Sequence, residues 1–439
     1  VRGGLERARL RSKFTDFAER LDGEGPLGVA VSGGGDSVAL LYALAEWSQR
    51  PLEVFCVDHG LNPLSAQWTQ SVADHAARVG AGFTALHWQG DKPVSGVSAA
   101  ARLARHALLA QAARQKGASV LCLAHTADDI AEAAAMRGQG SNLGTPQVWS
   151  PSPVWPEGRG VFLYRPFLDI RRETLRGYLR EIGAGWIDDP SNDNPASLRA
   201  RTRMELREQD LPIEAQENIT PPDLAGLLHD DTCATLGMIV LKADALYRLP
   251  PEQALKILSA AAVCAGGGDK LPKRARLEHL YTHLPDGKAL TLCGSRLQQQ
   301  ENRITISRET GDIGRQTSAI MELEPGVEAV WDGRFAIVSQ HAVRVLPAQG
   351  VRAQLDDADR KALQVLPAVL RGSLPVSEKD NQKKLLPHDG KGNVSLTPDT
   401  HNQTRVTCLV MRRFYAAMGQ ITLESHIDSD SWPVVCNGV

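Results

Sequence analysis

The most constraining stretch of this chain is residues 27–45. An apolar run from Leu27 to Val31 breaks into Ser32-Gly33-Gly34-Gly35-Asp36-Ser37. It resumes at the helical spacing Val38, Leu41, Tyr42 and Ala45. A buried strand, a glycine turn and a helix start together make an anion site. Glycines let backbone N–H groups turn inward with no Cβ in the way. The new helix adds its unpaired N–H groups and the positive end of its dipole. Ser32 and Ser37 bring hydroxyls, and Asp36 or Ser37 is expected to cap the helix. The Walker A spacing G-x-x-x-x-G-K-[ST] is missing, and G-x-G-x-x-G fails because Asp36-Ser37-Val38 follows the glycines. An acid inside a phosphate cradle repels its ligand unless a cation intervenes. Asp36 therefore implies bridging Mg²⁺ or a capping role that stiffens the loop.

Strand and helix patterns alternate downstream. Leu52–Val57, Phe83–Trp88 and Val120–Ala124 read as further buried strands. Helical patterns run over 38–49, 65–79 and 98–115, and from about Thr126. Such alternation predicts an α/β fold, a Rossmann-like parallel sheet with helices on both faces. Ligands in these sheets collect at the carboxyl ends of the strands. The polar clusters at 32–37, 58–60 and 125–129 all fall there. Residues 139–160 are rich in Gly, Pro and Ser and read as a loop. A helix is expected from Arg171 to Ile182 and an Arg-heavy one over 197–207. Leu211-Pro212 and Pro221-Pro222 suggest a boundary. The expected organisation is a catalytic domain over 1–210, a mainly helical domain over 222–310 and a mixed α+β domain over 318–439.

At 439 residues the chain exceeds one ordinary core, so several domains are expected. A net charge of −2 requires any nucleic-acid contact to come from a local basic patch. The seven cysteines are scattered without C-x-x-C, which argues against a zinc site and a disulfide framework. No apolar run reaches membrane-spanning length, and a cytoplasmic location is expected. Leu10, Phe14, Phe17 and Leu21 form the apolar stripe of a first helix.

A second constellation is His125-Thr-Ala-Asp128-Asp129-Ile-Ala-Glu132. Its carboxylates lie within about one helical turn, where acids also simply offset a helix dipole. Beside a phosphate loop they are candidates for holding Mg²⁺ or a substrate amine. His125 reads equally well as a hydrogen-bonded core histidine. Arg102 and Arg105 are candidate phosphate cations or a solvated helix face. Arg199, Arg201, Arg203 and Arg207 form a basic element suited to nucleic-acid phosphates, or again a solvated face. Trp149, Trp155 and Trp186 are candidate base-stacking platforms or packing residues.

S-G-G-x-D-S after a strand resembles the PP-loop of the N-type ATP pyrophosphatases. Further motifs follow in order: Asp58-His59-Gly60-Leu61, Ala101-Arg102 with Arg105, and His125-x-x-Asp128-Asp129-x-Ala-Glu132. Arg137-Gly138-x-Gly140, Arg165-Pro166-Phe167-Leu168 and Asp188-Asp189-Pro190-Ser191-Asn192 complete the series. In that order they resemble the tRNA(Ile)-lysidine synthetase family over about residues 27–207. Beyond 210 only Leu366–Pro375 looks like the family's C-terminal element.

The resemblance implies an ATP-dependent ligase that joins free L-lysine to C2 of the wobble cytidine of CAU-anticodon tRNA(Ile). The cytidine is first adenylated, and the product, lysidine, changes codon reading from AUG to AUA. It implies ATP and Mg²⁺ as cofactors. ATP would lie on Ser32, Gly33, Gly34, Gly35, Asp36, Ser37, Arg102 and Arg105, with the metal on Asp36. Catalytic roles would fall to Asp36, Asp128, Asp129 and Glu132, and tRNA contact to Arg199, Arg201, Arg203 and Arg207. Homodimerisation is left open. Ile130, Ala133, His106 and Ala200 depart from the residues usual at those positions. The rivals are a PP-loop tRNA thiolase and a tRNA-binding protein with a relict nucleotide site.

Overall fold

The computed structural model describes residues 2–138, 145–188, 201–202, 221–229, 236–315, 319–386 and 404–427. Contacts divide the chain into two compact units. One is Val1–Thr220 with Ile421–Trp432, and the other is Pro221–Gln420 with Pro433–Val439.

The first unit begins with α1 (Arg2–Thr15), followed by β1 (Leu27–Ala30), α2 (Gly35–Trp47), β2 (Leu52–Asp58) and α3 (Ser65–Arg78). It continues through β3 (Gly82–His87), α4 (Val97–Gln115), β4 (Val120–Cys122) and α5 (Ala127–Gly138). Short strands β5 (Trp149–Pro151) and β6 (Phe162–Tyr164) precede α6 (Arg172–Glu181). The sheet order is β3-β2-β1-β4-β6-β5. Every pairing is parallel except β5 with β6. The antiparallel edge strand β5 falls inside the stretch that reads as a loop in the sequence. β1 through Val29 and β2 from Val54 to Cys56 are buried on both faces, which is why these stretches appear as apolar runs.

Helix α2 packs against α1, α3 and α6, while α4 lies over β2, β3 and β4. Leu109, Ala110 and Ala113 of α4 meet Phe55, Leu121 and Leu163 of the sheet. On α1, Leu10 and Phe14 are buried, and Phe14 packs against Trp47, Tyr164 and Phe167. Connections leave β1 toward β2 and return through α4 to β4, so β1 and β4 are neighbours at the point where the winding reverses. The loops after both strands open on the same crevice.

The amino-terminal ends of the central strands β2 and β4 are fastened by the last described segment. Glu424 is buried and accepts from Arg50 Nη1 and Nη2 at 2.6 and 2.8 Å, and from Ser119 Oγ at 2.6 Å. Ser425 donates to both oxygens of Asp22.

Among the described residues the second unit contains three antiparallel sheets. The first has the order β7 (Ile239–Lys242), β10 (Arg303–Arg308), β9 (Ser295–Gln300), β8 (Leu290–Leu292). It shares a core with the helices Pro251–Gly266 and Val410–Ala417. Strands β7 and β9 are additions to the mainly helical domain expected over 222–310. β7 is only four residues, Ile-Val-Leu-Lys, and β9 carries a single apolar residue, Leu297, so neither shows a strand period.

The second sheet joins β11 (Met321–Leu323), β14 (Val343–Pro347), β15 (Pro375–Lys379) and β16 (Gln382–Leu385). The third joins β12 (Ala329–Trp331), β13 (Phe335–Ser339) and β17 (Thr404–Cys408). A second core lies among them and includes Leu366, Leu370 and Leu374 of the Leu366–Pro375 segment. Among the described residues no helix is long and apolar enough to cross a membrane.

Candidate active site

The loop after β1 has the geometry its glycines suggest. Gly33 sits at φ +87°, and its carbonyl accepts from Ile187 N at 2.9 Å. A Cβ at Gly33 would lie 2.6 Å from Ile187 Cδ1, so both backbone sign and space demand glycine there. Gly34 is the N-cap of α2, with no side-chain capping bond. This corrects the expectation that Asp36 or Ser37 caps the helix, since both already lie inside its first turn. Ser37 Oγ instead ties the loop to itself. It donates to Gly34 O at 2.8 Å and accepts from Ser32 N at 3.1 Å.

Across the crevice, Thr126 and Asp129 form a reciprocal cap at the start of α5. Thr126 N and Oγ1 both donate to Asp129 Oδ2, at 2.8 and 2.9 Å, and Asp129 N donates back to Thr126 Oγ1 at 3.4 Å. Part of the acidic motif therefore does the ordinary work of a helix start. Its other oxygens face a residue that the sequence reading did not single out.

That residue is Arg172, the first of α6. Its Nε donates to Asp36 Oδ2 at 2.9 Å, and its backbone N donates to Asp128 Oδ2 at 2.8 Å. Nη2 stands 3.5 Å from Asp129 Oδ1 and Nη1 3.5 Å from Glu132 Oε1. One guanidinium thus gathers Asp36, Asp129 and Glu132, while Asp128 is also 3.7 Å from Arg171 Nη1. A signal was present in the sequence. Arg171-Arg172 opens a helix, where the dipole disfavours cations, so carboxylate partners were to be sought.

The electrostatics follow from crowding. Burial pushes the Asp36 carboxyl upward, and Arg172 offsets this only in part, with Asp129 adding to the rise. Burial works against charge on Arg172 too, but Asp36, Asp129 and Glu132 outweigh it and hold the guanidinium firmly protonated. Asp36 Oδ1 is buried without a hydrogen-bond partner. An orphaned carboxylate oxygen beside a phosphate cradle fits a divalent cation. Among the described residues no group of three or more His, Cys, Asp or Glu side chains forms a metal site.

A second cluster borders the carboxylates. Arg165, 6% exposed, donates from Nε to His125 Nδ1 at 3.2 Å and from Nη1 to Gln147 O and Ser150 Oγ at 2.8 and 3.0 Å. Burial first, then Arg165, lowers His125 to about 3. His125 is therefore neutral, with Nδ1 accepting and the proton on Nε2. His106 is buried and likewise lowered to about 3, by burial and then by Arg105 and Arg102. The two α4 arginines thus stand close enough to His125 and His106 for their charge to be felt. Arg102 is exposed and Arg105 half-buried.

The crevice thus assembles Ser32 to Ser37, Asp128, Asp129 and Glu132 around Arg172. Trp186 lies against the loop, 3.4 Å from a Cβ built on Gly35, with Arg176 and Arg180 at 5.9 and 6.0 Å from its ring centre. Trp149 is a packing residue. It stacks near Phe17 and Phe162 and donates to Ile421 O. Ile130 is buried. Arg201 is exposed, whereas Arg199, Arg203 and Arg207 lie outside the described residues, as do Asp189 to Asn192 and Gly140. Cys56 and Cys122 are buried, and burial raises their thiols to about 11 and about 12, the reverse of what sulfur transfer needs.

Residues 7–210 match the model of the PP-loop domain family, so the first unit carries a PP-loop ATP-using domain. The chain is 38% identical to the tRNA(Ile)-lysidine synthase of Caulobacter vibrioides over 95% of its own length and 99% of that protein's. It is 35% identical to the tRNA(Ile)-lysidine synthase of Hyphomonas neptunium, covering 81% and 98% of the two chains. The chain belongs to the tRNA(Ile)-lysidine synthase family. Among solved structures, the U34-tRNA thiolase NcsA from Methanococcus maripaludis aligns with TM-score 0.39 at 17% identity, over 46% of this chain and 73% of that one. That likeness is too distant to bear on activity.

Proposed function

We propose that this protein joins L-lysine to C2 of the wobble cytidine of CAU-anticodon tRNA(Ile), using ATP and releasing AMP and pyrophosphate. The observation that carries the reading is the meeting of the glycine loop's Asp36 with Asp129 and Glu132 on one arginine, at the sheet's reversal point.

The chemistry explains why both halves are needed. The C2 carbonyl of cytosine is urea-like and a poor electrophile, so its oxygen must first become a leaving group. That oxygen attacks the α-phosphorus of ATP, and the bond to the β-phosphate breaks. The loop N–H groups between Ser32 and Ser37 would cradle the departing pyrophosphate, with Arg102 and Arg105 supplying positive charge. Mg²⁺ held by Asp36 Oδ1 would neutralise phosphate charge there. The ε-amine of lysine then forms the C2–N bond as the C2–O bond to AMP breaks.

Free lysine arrives as an ammonium with pKa about 10.4. Asp128, Asp129 and Glu132 would hold it and take up its proton, giving a reactive amine. Arg199, Arg201, Arg203 and Arg207 would meet tRNA phosphates in a salt-dependent, sequence-blind way. The reading puts the reaction in the cytoplasm, where ATP, lysine and tRNA occur together.

The test is incorporation of labelled lysine into a CAU-anticodon transcript, with pyrophosphate release measured alongside. Lysine incorporation and repeated pyrophosphate release should require ATP, tRNA and lysine together, while at most one pyrophosphate per enzyme-bound tRNA forms without lysine. Repeated pyrophosphate release without lysine but with a sulfur donor would favour a thiolase, and none under any condition would favour a binding protein.

A further inference from the structure

Arg172 reaches two motifs that the chain brings from opposite sides of the crevice. On the loop side it makes one short bond, Nε to Asp36 Oδ2 at 2.9 Å. On the α5 side its two Nη atoms stand 3.5 Å from Asp129 and Glu132, and its backbone N is bonded to Asp128. The grip is uneven, tight on the loop and loose on the helix. Glu132 and Asp129 are 2% and 8% exposed and the Asp36 side chain 22%, so three carboxylates crowd one largely buried space. Without a fixed cation they would repel one another, and the loop and α5 would separate.

We infer that Arg172 is a positioning residue for the ligase reaction, a fixed internal cation that keeps the Asp36 loop and the α5 carboxylates in register. The inference rests on the lysine-ligation reading given above. In this role the guanidinium keeps Asp36 Oδ2 permanently and leaves Oδ1 open. The long contacts let Asp129 and Glu132 turn to an incoming ammonium without loss of the frame. A lysine at this position would carry the charge but could not span both sides, because it lacks the planar fork.

The experiment compares wild type with Arg172→Ala, Arg172→Lys and Arg172→Met. Each is assayed for lysine incorporation, with rates normalised to the fraction of protein that binds tRNA. For Arg172→Ala, kcat should fall by about 100-fold, the cost of misplacing reacting groups by about an ångström. The KM for lysine should not rise, since the carboxylates that take the amine are still present. Arg172→Lys should retain about ten times the activity of Arg172→Ala yet stay below wild type. Added guanidinium should restore Arg172→Ala by about tenfold and leave Arg172→Met unchanged, because methionine fills the space.

A purely structural arginine would show lowered thermal stability with no guanidinium rescue and no kcat loss per tRNA-binding molecule. That result would overturn the inference, as would wild-type kcat in Arg172→Ala or Arg172→Lys. If Arg172→Ala binds no tRNA, Arg172→Lys decides alone. Wild-type protein that incorporates no lysine would remove the functional reading and the inference together. Active wild type with unaffected variants would remove only the inference.

Discussion

Each unit buries an arginine–carboxylate knot, and the two are built in opposite ways. In the first, one cation, Arg172, faces Asp36, Asp129 and Glu132, and Asp36 Oδ1 is left without a partner. In the second, one acid, Asp332, is shared by two cations. Arg308 Nε and Arg334 Nε reach it at 2.9 and 2.7 Å. The remaining donors are taken mainly by protein groups: Gly294 O, Asp312 and Ser373 O. Arg334 is completely buried, so its one unpartnered nitrogen faces no solvent. Acids in excess at a crevice leave room for an incoming cation. Two arginines matched against Asp332 and Asp312, and closed off by the carbonyls of Gly294 and Ser373, leave no such room and hold the fold.

Breaking each knot should therefore produce different failures. The largest effect is expected from Asp36→Ala, which should cut lysine incorporation to below about one part in 10³. Transcript affinity and melting temperature should hold, and a parallel loss of tRNA binding would erase the contrast. Next, Asp332→Ala leaves the buried Arg334 guanidinium without a carboxylate, while Arg308 keeps Asp312, and should cost about 3–5 kcal/mol. Urea unfolding followed at Trp331 would read this, with kcat per folded molecule unchanged.

A smaller effect concerns pH. Burial lowers folded His106 to about 3 from an unfolded value of 6.5, so between those values the unfolded chain binds the extra proton. Its contribution is whole above 6.5 and is lost as pH falls toward 3. Near pH 5 the cost is about 2 kcal/mol. His106→Phe should reduce the acid sensitivity of thermal unfolding in the first unit. An unchanged pH profile would refute this. Smallest, removing Arg201 and Arg203 together should lower the slope of log affinity against log salt by about 1–2, with equal losses for unrelated tRNA sequences. An unaltered slope would return them to a solvated helix face.

Much of the first unit was legible along the chain. Strands buried on both faces read as apolar runs, and Gly33 was marked by a turn that no side chain tolerates. β5 was hidden because an edge strand of three residues leaves no period to detect among Gly, Pro and Ser. The clasp of Glu424 on Arg50 joins residues 374 positions apart, and nothing local announces it. The acidic motif was visible, yet its division of labour was not. Only coordinates separate Asp129 Oδ2, spent on Thr126, from Oδ1, turned toward Arg172.

By itself the sequence determined the alternation of strand and helix, the anion-binding turn and the order of motifs that marks the family. Those features rest on backbone conformation and hydrophobic period, both set within a few residues. The tertiary structure alone decided which charges meet. Arg172 and Asp36 are 136 positions apart, and a guanidinium chooses among carboxylates by distance and burial, quantities that exist only after the sheet has closed.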